Sequence, residues 1–224
     1  MDMRADAVIV AAGSSTRFGA DKLLADLCGR PVVAWSLAAY EGAESIDDIV
    51  LVCAGENLER MRALGEQFAP GKFKSAVAGG ARRRDSVQAG LLACHSPYVA
   101  IHDGARPLIA PSNIDRCVAA AEGRAGAICA IPSVDTIKEV REGVIVAHPD
   151  RSQLWAAQTP QVVRRETWLT AAAAGDDDET DDAAMLFRFS LPVAVVEGSQ
   201  ENIKLTRPLD LEIARLILRL REER

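Results

Sequence analysis

Short apolar runs alternate with helical patterns along most of this chain, and that alternation narrows the available folds more than any other feature. "AVIV" (7–10), "IVLVC" (49–53), "FKSAV" (73–77), "YVAIH" (98–102) and "AICAI" (127–131) read as strands. Between them, 31–40, 58–68, 86–94 and 114–122 carry helical spacing, the first with a proline in its opening turn. Strands that are apolar almost throughout are buried on both faces. Strands alternating with helices predict a mostly parallel α/β sheet with helices on both sides.

The pattern changes after residue 131. Around 136–140 and 144–147, two β-like runs flank "REG" and predict a β-hairpin. Its apolar residues are few and alternate with polar ones, so it needs something to pack against, either a partner subunit or its own domain. A helix ending at Gly175 follows. Another helix opens in "DDDETDDAAMLFRF", capped by Thr180 or a nearby Asp. "VAVVEG" is a strand and "PLDLEIARLILRLREER" an amphipathic terminal helix. One domain over 1–224 is expected, with an arm at about 134–150.

Composition removes several functions. With 49% hydrophobic residues the chain can bury a core, and a net charge of −6 makes nucleic acid a poor general partner. No apolar run reaches membrane-spanning length, and "MDMRADAVIV" lacks a signal-peptide pattern, so a cytoplasmic protein without a membrane partner is expected. Five cysteines at wide spacing, without C-x-x-C and most of them in apolar surroundings, read as reduced core residues rather than disulfides or zinc ligands. The chain ends at "LREER", just past the terminal helix, which reads as a monofunctional protein.

Chemistry enters at "VIVAAGSSTRFGADK" (8–22), the loop after the first strand. In an open parallel sheet, ligands bind beyond the carboxyl ends of the strands. Gly13, Ser14 and Ser15 leave amide groups unobstructed, and Arg17 and Lys22 add two positive charges. The spacing fits neither G-x-G-x-x-G nor G-x-x-x-x-G-K-[ST], which disfavours dinucleotide and Walker-type sites.

The loop resembles the A-A-G-x-x-x-R-…-K signature of nucleotidyltransferases with a sugar-nucleotide transferase, Rossmann-like fold. Taken alone it is rather close to molybdopterin-cofactor guanylyl- and cytidylyltransferases. Four further stretches resemble 2-C-methyl-D-erythritol 4-phosphate cytidylyltransferases: "GGARRRDSVQAGL" (79–91), "HDGARP" (102–107), "DRSQLWAAQTPQ" (150–161), and "TDDAAMLF" followed by "VEGSQENIKLTRPLDL" (180–187 and 196–211). The likeness is collinear from Val8 to about Leu211. It implies CMP transfer from CTP to 2-C-methyl-D-erythritol 4-phosphate with a magnesium ion, and a homodimer formed through the arm. Cytidylyltransferases acting on other alditol phosphates, such as ribitol 5-phosphate, share much of the pattern. A silent CTP-binding module is a further alternative, against which the two loop cations argue.

The resemblance also implies roles. Arg17 and Lys22 neutralise the triphosphate. Arg151 and Lys204 clamp the acceptor phosphate. Ala11, Ala12, Gly13, Gly80 and Ser86 form the cytidine pocket, with Asp103 and Gly104 on the ribose and metal side. Asp103 is the expected magnesium ligand, since that ion prefers oxygen. Arg106, Thr136, Thr159 and Thr180 match the remaining acceptor contacts. Arg83 matches a family arginine, while Arg82 and Arg84 are expected to be exposed. The acids around Thr180 read as a solvated helix start, Ser86 doubles as a helix cap, and His102 reads as structural, because an anionic phosphate nucleophile needs no base.

Overall fold

Among the residues that the computed structural model describes (3–13, 22–175, 179 and 181–223), the expected alternation is present. Strands β1 (Ala5–Ala11), β4 (Ile46–Cys53), β5 (Phe73–Ala78), β6 (Tyr98–Asp103), β7 (Gly126–Pro132), β10 (Trp155–Arg164) and β11 (Val193–Glu197) form one sheet in the order β11-β7-β10-β6-β1-β4-β5. β1 pairs in parallel with β4 and β6, β4 with β5, and β11 with β7. Alternating side chains feed two cores: Ile9, Leu51 and Ala100 face one layer, and Val8, Val50 and Ile101 the other. The first layer holds α1 (Val32–Glu41), α2 (Leu58–Phe68), α4 (Pro111–Ala120) and α7 (Pro208–Glu222). The second holds α3 (Arg83–Ala93), α5 (Arg165–Ala173) and α6 (Asp182–Arg188).

The pattern of apolar runs misses β10. This strand runs antiparallel to both its neighbours, β6 and β7. Its middle carries Gln158, Thr159 and Gln161, which are buried although polar, so hydropathy reads it as loop. A small ribbon, β2 (Asp26–Leu27) with β3 (Arg30–Pro31), is also missed, and Pro31 ends it rather than lying within the helix that follows.

The hairpin is β8 (Glu139–Arg141) with β9 (Val144–Ala147), paired only with each other among the described residues. Val134, Val140, Val144 and Ile145 are all more than half exposed. The arm does not fold back onto its own domain.

One helix start differs from expectation and another agrees with it. α3 begins at Arg83, where the Asp85 carboxylate accepts the Arg82 N–H at 3.1 Å. Ser86 therefore lies inside the helix and is not its cap. α6 is capped by Asp181, whose carboxylate accepts the Ala184 N–H at 2.7 Å, while Thr180 lies outside the described residues.

Candidate active site

β6 and β1 are neighbours in the sheet and β4 separates β1 from β5; the segments that leave the carboxyl ends of β1, β5 and β6 enclose a cleft of about 360 Å³. Ala12, Gly13, Lys22, Gly80, Ser86, Asp103 and Lys204 line it, with Val10, Leu23, Ala81, Arg82, Arg83 and Ala105. The open parallel sheet thus places its cleft where strand order dictates.

One wall is backbone. Gly79 N–H donates to Cys53 O at 2.8 Å, and Gly80 N–H to Ser86 Oγ at 3.2 Å. A Cβ on Gly79 would stand 2.6 Å from both Ala12 Cβ and Ser86 Oγ, so the residue must be glycine for β1, β5 and α3 to meet this closely. Ala11 is the buried last residue of β1 and supports this wall from behind the cleft. Gly104 likewise donates its N–H to Val10 O at 2.9 Å, so it ties β6 to β1 instead of facing the cleft.

The opposite wall is a chain of alternating charges. Lys204 Nζ lies 2.7 Å from Asp103 Oδ2, Arg83 Nε 3.4 Å from Asp103 Oδ1, and Arg83 Nη2 2.8 Å from Asp182 Oδ2. Burial alone would raise the Asp103 carboxyl, but Arg83 and Lys204 outweigh it and hold the group far below the usual carboxylate range. Asp103 is therefore anionic at any working pH. For Arg83, burial opposes the charge, and Asp182 and Asp103 more than restore it.

Lys204 owes its position to the chain on either side. Leu205 N–H donates to Ala105 O at 2.8 Å, and buried Asn202 donates its amide to Thr159 O at 2.9 Å. Arg106 takes part in the same clasp. Its guanidinium donates to Asn202 O at 2.7 Å and to Ala157 O at 3.4 Å. In this chain it holds backbone instead of reaching the cleft as an acceptor contact. Thr159 also differs from expectation: its buried hydroxyl accepts the Asp103 N–H at 3.1 Å and meets His102 Nδ1 at 2.9 Å, leaving it under the site. His102 is buried, its Nε2 is 3.1 Å from Arg106 O, and burial pushes it down to about 4. It is a neutral strut, as the sequence reading holds.

Arg17 and Thr180 fall outside the described residues. Arg151 and Thr136 are exposed at the base of the arm and do not line the cleft; Arg151 Nη1 donates to Val134 O at 2.9 Å. Arg82 and Arg84 are half-buried rather than exposed: Arg82 pairs with Asp85 at 2.9 Å, and Arg84 donates to Ala172 O.

Asp182 is the residue that sequence reasoning passed over. It reads as one more solvated acid in a run, yet its side chain is 2% exposed and accepts the Trp168 indole N–H at 3.1 Å. The signal that could have found it is the arginine cluster at 82–84, which calls for buried countercharge.

Among the described residues, Asp103 is the one carboxylate lining the cleft, and no cluster of three or more potential ligands occurs. That donor set suits magnesium, which keeps waters and takes one or two carboxylates plus substrate phosphates. It does not suit a metal that needs a cage of protein ligands.

A sequence model of 2-C-methyl-D-erythritol 4-phosphate cytidylyltransferase matches residues 5–220. Proteins of that name from Synechococcus and Dehalococcoides mccartyi are 46% and 40% identical, over 96% and 98% of both chains respectively. The 4-diphosphocytidyl-2C-methyl-D-erythritol synthase structure from Anaerococcus prevotii superposes with TM-score 0.86 at 27% identity, covering 98% of this chain and all of that one. The 2-C-methyl-D-erythritol 4-phosphate cytidylyltransferase of Thermus thermophilus gives 0.76 at 29%, over 97% of this chain and all of the other. By this end-to-end likeness the chain belongs to the 2-C-methyl-D-erythritol 4-phosphate cytidylyltransferase family.

Proposed function

We infer that this chain transfers CMP from CTP to 2-C-methyl-D-erythritol 4-phosphate in the non-mevalonate route to isoprenoids, releasing pyrophosphate. The acceptor phosphate oxygen forms a bond to the α-phosphorus of CTP as the bond to the pyrophosphate oxygen breaks. The nucleophile is already anionic, so no protein base or covalent intermediate is required. Catalysis is then alignment and charge neutralisation.

The observation that carries this reading is the position of Lys204, 2.7 Å from Asp103 at the mouth of a cleft whose other wall is Gly80 and Ser86. A nucleotide on that wall brings its phosphates towards Lys22 and Lys204. Lys22 and Arg17 serve the triphosphate, and Lys204 the acceptor phosphate. Asp103 is the group that would hold magnesium. When bound, that ion screens the triphosphate and stabilises the departing pyrophosphate.

The arm makes the protein a homodimer in this reading, burying Val140, Val144 and Ile145 against a second copy and carrying Arg151 and Thr136 into that copy's site. Arg151 then joins Lys204 on one acceptor phosphate. The site works in the cytoplasm, where free thiols such as the buried Cys53, Cys94, Cys117 and Cys129 persist. No helix among the described residues is long and apolar enough to cross a membrane.

Pyrophosphate release is the test. It should require CTP, magnesium and 2-C-methyl-D-erythritol 4-phosphate together. A protein that prefers ribitol 5-phosphate in an acceptor panel, or that binds CTP and turns over no acceptor, refutes the assignment.

A further inference from the structure

The two carboxylates that flank Arg83 are not equivalent. Asp103 faces the cleft, whereas Asp182 lies behind it at the first turn of α6, almost wholly buried. Every side-chain oxygen of Asp182 is engaged: Oδ2 accepts from Arg83 Nη2 at 2.8 Å and Oδ1 from Trp168 Nε1 at 3.1 Å. Its backbone is fastened as well. The Asp182 and Ala183 N–H groups donate to Gln161 Oε1 at 2.9 and 3.0 Å, and Gln161 Nε2 donates to Asp181 Oδ2 at 3.1 Å. One buried glutamine on β10 thus fixes the turn that carries the anion.

Well-packed apolar residues usually stabilise a core as well as a buried ion pair does, so the pair calls for an explanation other than stability. The distances supply one. Arg83 is 2.8 Å from Asp182 but 3.4 Å from Asp103. The buried anion draws the guanidinium back, and Asp103 Oδ1 keeps only a long contact while Oδ2 holds Lys204.

We propose that Asp182 is a positioning residue for the transfer step: by holding Arg83 it prevents the guanidinium from closing on Asp103, and so keeps one Asp103 oxygen open to a divalent cation. This rests on the cytidylyltransferase reading above. Without the Asp182 charge, Asp103 is the anion left to Arg83 among the described residues, and Arg83 pairs with it bidentately, the geometry arginine favours with carboxylates. The guanidinium and the cation then compete for Asp103. The nucleotide wall at Gly80 and Ser86 is untouched.

The test compares the wild type with Asp182→Asn, which keeps the shape and the Trp168 bond. The magnesium concentration for half-maximal pyrophosphate release should rise about 10–100-fold, as for other groups that orient a metal ligand. The KM for CTP at saturating magnesium should stay close to wild type. Calorimetric titration of CTP at stepped magnesium, without acceptor, should show the same displacement. The double variant Asp182→Asn/Arg83→Met removes the competing guanidinium and should return the magnesium requirement to the wild-type value, even with a lower kcat. A purely structural ion pair would move the melting temperature and not this requirement.

If the wild type releases no pyrophosphate, the assigned activity fails and the inference falls with it. If the wild type is active and a folded Asp182→Asn keeps its magnesium requirement, the inference alone is overturned. Should Asp182→Asn not fold, Asp182→Ser, which also removes the charge and leaves room for a water at the vacated oxygen, takes its place: a raised magnesium requirement supports the proposal, and an unchanged one overturns it.

Discussion

Acid should weaken this fold through His102 well before it discharges the carboxylates. The imidazole is fully buried, 5.1 Å from the Tyr40 ring, with Nε2 3.1 Å from Arg106 O and Nδ1 2.9 Å from the Thr159 hydroxyl. A carbonyl can only accept, so Nε2 carries the proton. The Thr159 hydroxyl then donates to Nδ1 while its oxygen accepts the Asp103 N–H. The chain of bonds closes with a neutral ring, and a second ring proton breaks it. Burial pushes His102 from 6.5 down to about 4, against the partly compensating charge of Asp103. The folded value lies below the unfolded one, so the unfolded chain takes up the proton first. The contribution is fully present above about pH 6.5 and is lost as pH falls towards 4, amounting to about 3 kcal/mol. Asp103 and Asp210 are held below their ordinary 3.8, so the stability they contribute disappears only at still lower pH. Urea unfolding of the wild type and of His102→Gln, across this range, isolates the histidine. The free-energy gap between the two should narrow by about 3 kcal/mol as pH falls through the window. Two curves that stay parallel would refute both the buried neutral histidine and the bonding scheme built on it.

Three further outcomes follow from the geometry. Lys204→Met should lower kcat/KM for the acceptor by about 10²–10³ while CTP binding without acceptor stays within a few-fold; steady-state kinetics beside calorimetry check this, and an equal loss on both sides contradicts it. Gly90→Ala drives a Cβ to 2.5 Å from Val8 Cγ1 and should cost about 1–3 kcal/mol in denaturant unfolding, because helix α3 must lift off β1. Val144→Glu/Ile145→Glu alters side chains that are 65% and 60% exposed in the single chain, so if the proposed dimer forms through the arm it should halve the sedimenting mass while barely changing the melting temperature.

What could be read from the sequence follows from where each residue's energy goes. Strands β1, β4, β6 and β7 bury apolar side chains on both faces, and their composition announces it. Of the glycine-serine loop after β1, Gly13 and Lys22 at its two ends line the cleft, and residues 14–21 between them lie outside the described residues. β10 was not legible, since Gln158, Thr159 and Gln161 spend their hydrogen bonds on other segments: Gln158 on Ser199, Thr159 on Asp103, Gln161 on Asp181 and Asp182. Buried polar residues of this kind stabilise loops in three dimensions and leave no periodic trace. The same holds for Asp182, whose value depends on an arginine 99 positions away.

The arm is the case in which sequence and a single chain stop at the same place. Alternating, half-apolar runs predict a hairpin without a core, and the structure shows its apolar side chains in solvent, with Arg151 and Thr136 outside the cleft they were matched to. Both observations suit the arrangement proposed above, in which the arm of one copy completes the site of the other. Mixing gives a decisive expectation. Arg151→Met and Lys204→Met are each impaired alone, but a mixed dimer holds one site with Lys204 from one copy and Arg151 from the other. If the copies exchange freely in a two-fold dimer, about one quarter of all sites regain both cations. Activity should therefore reappear on mixing and scale with the fraction of mixed dimers. If Arg151 instead serves its own chain, every site in the mixture lacks one cation, and mixing restores nothing.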